Sequence, residues 1–271
     1  MTTLIVGRHS SIGLSLVQSG LFEKTCLIDR RQLVDLMLTK DIFRKFLEEN
    51  QIEEVIYLMV DRSTPNDDSE QLSTFNYSYP VQMWEVVNEI PNVFFIWVSS
   101  IFANDTSMVA KHAYLRAQNL AHSEIMASNI TQLRYSRLYL SQLYGMKNFA
   151  IHQPFLYRLN DTIRAGQNID LINGHNTIRN FINVRDVCRL LADLKSWRSK
   201  PNVSLLAEIS FTWLEIAEMF KSFYESNSIL KNIVDPRELD QRRYCNDGLT
   251  SLNELYKPQN LDKVIMNGEF E

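Results

Sequence analysis

Glycine is scarce in this chain, with eight in 271 residues, less than half the ordinary usage of about 7%. Any loop that depends on glycine is therefore confined to the few places where these eight fall. Cysteine is scarcer still: Cys26, Cys188 and Cys245 are odd in number and lack paired metal-type spacing, which argues against a disulfide framework and predicts reduced thiols. Basic residues are not in excess. The 28 Lys and Arg against 32 Asp and Glu give a net charge of -4, and no Lys/Arg cluster interleaves with aromatics, so no nucleic-acid partner is expected. Long apolar runs are missing too, the longest being Val93 to Val98, far short of the roughly 20 residues of a membrane helix. Met1-Thr2-Thr3 leads straight into Leu4-Ile5-Val6 and does not resemble a signal peptide, so the expected compartment is the cytoplasm and no membrane partner is foreseen. His9, His112, His122, His152 and His175 stand at no ligand spacing to Cys or carboxylates, and no metal is expected.

What is present is alternation. Leu4–Val6, Cys26–Ile28, Val55–Val60, Val93–Val98 and Thr131–Arg134 read as short buried strands, being apolar and partly β-branched. Between them, Ser11–Ser19, Asp41–Asn50, Tyr79–Glu89 and Ala113–Ala127 place apolar residues at helical spacing. Such βαβ alternation predicts an α/β fold, with a doubly wound parallel sheet and helices on both faces. Asp61 to Gln71 reads as a polar loop on the carboxyl edge, where such sheets place their ligand loops. After Gly145 the pattern loosens: Pro154–Ala165, Val184–Leu194 and Phe211–Glu225 read as helices and Asp170–Ile172 as a strand. The expected division is a dinucleotide-binding domain over 1–145 and a smaller α/β substrate domain over 146–271, with segments such as 180–200 returning to the first.

The first strand runs into Gly7-Arg8-His9-Ser10-Ser11-Ile12-Gly13 and then a helix, the context in which a glycine-rich loop holds a pyrophosphate at a helix N-terminus. Gly7 permits the tight turn and Gly13 lets the helix pack on the strand, while Ser10 stands where the backbone must approach the phosphates. A plain βα turn is the alternative for this loop. The next strand ends in Asp29, where an acid contacts the adenosine ribose. Arg30 and Arg31 follow and suit a 2'-phosphate, so NAD is favoured and NADP stays open.

Together these features resemble the extended short-chain dehydrogenase/reductase superfamily, specifically its NAD-dependent epimerases and dehydratases, and the resemblance runs nearly end to end. Gly7, Ser10 and Gly13 are similar to that family's Gly-x-x-Gly-x-x-Gly loop, and Asp35-Leu36 to its adenine-contacting pair. Val55-Ile56-Tyr57-Leu58-Met59-Val60 resembles the strand whose end lines the cofactor, and Asn76 falls where the following helix carries an asparagine. Val98-Ser99-Ser100 resembles the active-site strand end, with Ser100 as substrate orienter. Tyr114-Leu115-Arg116-Ala117-Gln118 takes the place of the Tyr-x-x-x-Lys motif, with Gln118 replacing the lysine. Leu133 to Tyr139 resembles the Arg-Tyr-Phe-Asn-Val-Tyr-Gly segment, which places Tyr135 beside the cofactor and Arg137 where a sugar-nucleotide-binding asparagine would be. Arg179-Asn180-Phe181-Ile182-Asn183-Val184-Arg185-Asp186-Val187 is close to the family's Arg-Asp-Phe-x-His-Val-x-Asp-Val signature.

The resemblance implies a Rossmann-type fold, an NAD cofactor and a nucleotide sugar or related small molecule as ligand. It also implies a homodimer through the helices 79–89 and 113–127. Tyr114 would be the acid/base and Gln118 a weakened ribose contact, because an amide cannot lower the tyrosine pKa as a cation does. Arg179 and Arg243 are candidates to pair a diphosphate, since guanidinium forks suit phosphate oxygens. Three readings remain: an oxidoreductase, epimerase or dehydratase; a non-catalytic nucleotide-binding or assembly module of the same fold; and a plain interaction scaffold without cofactor, for which the Gly7–Gly13 loop would be vestigial. Departures at Ser10, Gln118, Arg137 and Asn183 bear on that choice.

Overall fold

Four of the five β-type runs of the first half fall in strands and all four amphipathic runs fall in helices. The computed structural model describes residues 1–62, 74–128, 134–145, 154–198, 200–236, 244 and 246–270. In chain order the strands are β1 (Thr2–Val6), β2 (Lys24–Ile28), β3 (Ile52–Tyr57), β4 (Phe94–Ser100), β5 (Tyr135–Leu140), β6 (Gln142–Tyr144), β7 (Ile169–Ile172), β8 (Ile178–Arg179), β9 (Phe181–Asn183), β10 (Asn202–Leu205), β11 (Phe211–Thr212), β12 (Leu230–Ile233) and β13 (Thr250–Ser251). The α-helices are α1 (Ser11–Ser19), α2 (Arg30–Leu36), α3 (Lys40–Glu49), α4 (Tyr79–Glu89), α5 (Thr106–Lys111), α6 (Ala113–Ala127), α7 (Pro154–Arg164), α8 (Val184–Ala192), α9 (Trp213–Phe223) and α10 (Leu261–Met266).

The chain divides into two compact units: Met1–Tyr139 with Cys188–Ser204 and Cys245–Ser251, and Leu140–Val187 with Leu205–Tyr244 and Leu252–Glu271. The first unit carries a seven-stranded sheet in the order β13-β10-β5-β4-β3-β1-β2. β1 runs parallel to both β2 and β3, and β3 parallel to β4. Strand order reverses at β1, the topological switch point at which doubly wound sheets open a crevice beyond their carboxyl ends. One face is filled by Leu4, Val6, Phe43, Leu47, Val55, Tyr57, Trp84, Phe95 and Trp97, and each large apolar side chain buried this way contributes about 2 kcal/mol. Helix α3 shows why the pattern works. Phe43 and Leu47, four apart, are its buried residues, and Thr39 caps its start by accepting the Ile42 N–H, which satisfies one orphan donor.

The second unit is stitched by three short pairings: β6 with β9 and β7 with β12, both parallel, and β8 with β11, antiparallel. Its core is aromatic, with Tyr144, Tyr157, Phe181, Trp213, Phe220 and Phe270 around α7, α9 and α10. Thr212 and Glu215 form a reciprocal capping box that starts α9. The sequence expectation of a strand over Thr131–Arg134 needs correction. Residues 131–133 lie outside the described part, Arg134 is not in a strand, and the strand is β5, which is buried throughout its six residues. Among the described residues no helix is long and apolar enough to cross a membrane.

Candidate functional site

The carboxyl end of β1 turns through Gly7, whose φ of +103° lies in the left-handed region that glycine adopts without strain. A Cβ there would sit 3.1 Å from Met59 Cγ and 3.3 Å from Leu58 Cβ. The first turn therefore presses against the segment Leu58-Met59-Val60 that leaves β3. Gly13 is tighter still: a Cβ would fall 2.5 Å from the Gly7 carbonyl oxygen, so only glycine lets α1 lie this close to the strand end. Ser10, between them, has φ -69° and ψ 157° and is the N-cap of α1, its Oγ accepting the Gly13 N–H at 3.0 Å. That bond takes one of the free donors at the helix start; the N–H groups of Ser11 and Ile12 head the same turn and face the dipole's positive end.

At the end of β2, Asp29 is the N-cap of α2, in a capping box with Gln32 at 3.0 Å in both directions. The Gln32 N–H, with Arg8 alongside, holds the Asp29 carboxyl below the usual range. Arg8 lies 3.5 Å from Asp29 and donates from Nε to His9 at 3.0 Å. Arg30 pairs with Asp61 at 2.7 Å and covers the Phe75 ring at 4.1 Å. Asp35 is exposed on α2, while Leu36 packs partly against the core of the unit.

A third group lies inside the same unit. Gln118 on α6 is buried, its Oε1 accepting Ser99 Oγ at 3.0 Å and its Nε2 donating to Asn76 Oδ1 at 3.5 Å. Asn76, in a π-helical turn over Thr74–Ser78, is fully buried and exchanges bonds with the Asp61 backbone at 3.3 and 2.9 Å. Arg137 on β5 donates to Ser99 Oγ at 3.1 Å and to Asn119 Oδ1 at 2.9 Å. Tyr135, two residues earlier on the same face, is fully buried with its hydroxyl 2.8 Å from His122 Nδ1. Burial, helped by the Arg137 charge, pushes the His122 pKa down to about 3, so this imidazole is neutral at ordinary pH. Tyr114 lies half-buried in the first turn of α6, its ring 5.8 Å from that of His112. Ser100 caps the short 3-10 turn Ile101–Asn104, its Oγ accepting the Phe102 N–H at 3.3 Å.

The sequence profile of the NAD dependent epimerase/dehydratase family matches residues 3–197. The chain belongs to this family. Solved structures share its fold across nearly the whole length. The dTDP-4-dehydrorhamnose reductase of Clostridium acetobutylicum is 13% identical, with 98% of each chain covered and a TM-score of 0.73. The dTDP-glucose 4,6-dehydratase of Bacillus anthracis, solved with NAD, is 13% identical, covering 98% of this chain and 94% of that one at a TM-score of 0.71. The UDP-glucose 4-epimerase of Thermotoga maritima, solved with UDP-glucose, is 12% identical, covering 98% and 96% at 0.68. Curated protein sequences give no match.

The loop of this epimerase/dehydratase member fits a dinucleotide at its two ends, where Gly7 and Gly13 leave no room for a side chain. In the middle the loop departs from glycine, since Ser10 is the N-cap of α1 and its Oγ accepts the Gly13 N–H. The structure brings Gly7, Gly13, Leu58 and Met59 together, and separately gathers Asn76, Gln118 and Arg137. Arg179 belongs to the second unit, where it donates to the Ile178 carbonyl at 2.8 Å and covers Trp213 at 5.3 Å. Arg243 lies outside the described residues. Sequence reading missed Ser99 and Asn119, which join Gln118 to Arg137. The available signal was the strand period of two, which puts Trp97 with Ser99 and Tyr135 with Arg137 and Tyr139.

Proposed function

We propose that this chain is a cytoplasmic, NAD(P)-binding member of the epimerase/dehydratase family that recognises a nucleotide sugar or related small molecule and has given up fast proton transfer. One observation carries the second half: both ends of the Gln118 amide are bonded inside the unit, to Ser99 and Asn76. A tyrosine acting as acid/base must ionise well below its free value of about 10, and a cation one helical turn away does this by stabilising the phenolate. Gln118 sits at that spacing and carries no charge, and its amide oxygen and nitrogen are each already engaged inside the unit. A bound nicotinamide dinucleotide would supply hydride transfer.

On the binding side, the Ser11 and Ile12 N–H groups at the start of α1 receive the pyrophosphate. Asp29 at the end of β2 meets the adenosine ribose and favours NAD, while Arg8 and Arg30 beside it leave NADP open. Solved neighbours described with NAD or NADP support this assignment. Leu120 and Met126, apolar and exposed on α6, support a homodimer. A second reading keeps Tyr114 as acid/base and Ser100 as substrate orienter in a slow enzyme, because Tyr114 remains half-exposed at the head of α6.

Titration of the purified chain with NADH and NADPH, followed by cofactor fluorescence and thermal shift, tests the proposal. Binding tighter than about 1 mM (~4 kcal/mol) is expected for at least one of them, with no loss of NADH absorbance on adding nucleotide-4-ketosugars. Silence with both dinucleotides at millimolar concentration sinks the binding claim. Turnover that vanishes in Tyr114→Phe replaces the proposal with the second reading.

A further inference from the structure

Arg137 and Glu54 are the two fully buried ionisable side chains among the Asp, Glu, Lys and Arg of the described residues, and only the second is a carboxylate. An interior guanidinium ordinarily needs an anion to offset its lost hydration. Arg137 has none among the described residues. It meets the Ser99 hydroxyl, the Asn119 amide oxygen, the Tyr139 hydroxyl and the faces of Trp97 and Tyr139 at 5.0 and 4.8 Å, and its Nε finds no acceptor among the described residues. The titratable groups around it, His122 from α6 and Tyr135 and Tyr139 from its own strand, are all neutral at ordinary pH. Its charge is felt by each of them.

Two hydrogen-bond paths leave the Arg137 guanidinium, one ending through Asn119 at the Ala103 carbonyl and the other running toward Asn76. On the second path the guanidinium donates to Ser99, Ser99 donates to Gln118, and Gln118 donates to Asn76. Asn76 in turn holds the Asp61 backbone at the carboxyl end of β3. A chain of like-oriented bonds is polarised cooperatively by a charge at its head. The positive end of the Gln118 amide is thereby directed at Asn76 Oδ1, which also accepts the Asp61 N–H.

We propose that Arg137 holds the positive charge of this site and that positions 118 and 137 form one electrostatic unit, joined by Ser99, which accepts a single cation. The cation is carried on β5 instead of on α6. Gln118 in place of lysine and Arg137 in place of asparagine are then one exchange, not two independent losses. Lysine at 118 without a change at 137 sets a second cation two hydrogen bonds from the first, with no anion to separate them. Arg137 acts through Gln118 and is a positioning residue.

A double-mutant cycle on the full chain tests this, with thermal unfolding of the wild type, Gln118→Lys, Arg137→Asn and the double variant at pH 7 and pH 10. Gln118→Lys is expected to lower Tm by about 10 °C at pH 7. That deficit should shrink by at least half at pH 10, because a lysine whose folded pKa is depressed costs most below that value and nothing above its free value of about 10.4. The double variant should melt at least roughly 5 °C above the sum of the single losses and show a smaller pH dependence than Gln118→Lys, that of a buried lysine without a neighbouring cation. Gln118→Met, neutral and of similar length, loses the bonds to Ser99 and Asn76 but its Tm should fall by less than that of Gln118→Lys at pH 7 and by the same amount at both pH values. Additive losses, a deficit in Gln118→Lys that is the same at both pH values, or an equal loss in Gln118→Met each overturn the proposal. If Gln118→Lys fails to fold at pH 7 while the double variant folds, the coupling is supported in its extreme form. The cycle reads charge coupling alone, so its failure is distinct from a failure of dinucleotide binding.

Discussion

Ser10 has extended dihedrals and accepts the Gly13 N–H, so a serine is unstrained where the family's loop carries glycine. Its hydroxyl satisfies the helix, and its Cβ is bulk that a glycine at this position would not carry. Two substitutions separate these effects. Ser10→Gly costs only a few tenths of a kcal/mol as a cap and is expected to tighten NADH binding several-fold; Ser10→Ala costs about 1 kcal/mol, a fall in Tm of about 3 °C, with no gain in affinity. Fluorescence titration and melting of both variants measure this, and weaker binding by Ser10→Gly would make the hydroxyl a ligand contact. The loop was legible in the sequence because strand, turn and helix are contiguous, so the roles of Gly7 and Gly13 follow from local geometry. The cluster of Ser99, Gln118 and Arg137 was not legible, since it joins three elements whose register only folding sets. Arg137 reads as a substrate contact in the sequence and lies wholly inside the unit.

Strand β3 shows how an element tolerates a polar residue at a core position. Glu54 is fully buried, with Oε2 accepting the Thr3 hydroxyl at 3.2 Å and Oε1 without a partner among the described residues. Burial pushes its carboxyl up to about 6 against an ordinary 4.5, even though the Thr3 bond and the Arg198 charge pull the other way. A raised folded pKa means the folded state holds the proton more tightly than the unfolded one. The associated stability is complete below pH 4.5 and is lost as pH rises through 6. Glu54→Gln keeps the Thr3 bond and removes the ionisation, so it should match the wild type near pH 4 and exceed it by about 2 kcal/mol at pH 8; denaturant melts across that range check the sign. An equal gain at both pH values would mean packing, not ionisation, is responsible. Elements with strong periods and caps were legible to the residue: α1, α4 and α6 begin and end where their apolar spacing does. Strand β5 was displaced because Ser136 and Arg137 interrupt its apolar run, and α2 and α5, of seven and six residues, are too short to show a period.

Over the whole molecule, neither unit is a continuous piece of chain. The sheet of the first unit is completed from after residue 200: β10 takes its place beside β5, and β13 pairs with β10. The Arg137 N–H donates to the Pro201 carbonyl at 2.8 Å, and Ser136 Oγ reaches the carbonyls of Arg198 and Lys200 at 3.1 and 2.8 Å. Trp197, fully buried, donates to the Leu190 carbonyl at 3.0 Å within the returning segment. A fragment ending at Gly145, where the sequence pattern loosens, would lack all of this and leave the fully buried Leu138 and Arg137 on an open sheet edge. Unpaired edges that carry apolar side chains aggregate, and a lost Trp-sized side chain costs about 3–5 kcal/mol, a large share of a typical domain's total stability of about 5–15 kcal/mol. The fragment Met1–Gly145 is therefore expected to be insoluble or to melt without a cooperative transition and to bind no NADH, even though it contains every residue of the nucleotide loop. Circular dichroism melting and NADH fluorescence on the purified fragment decide it. A sharp transition near that of the full chain would mean that β10 and the 188–204 segment add nothing essential to the first unit's core.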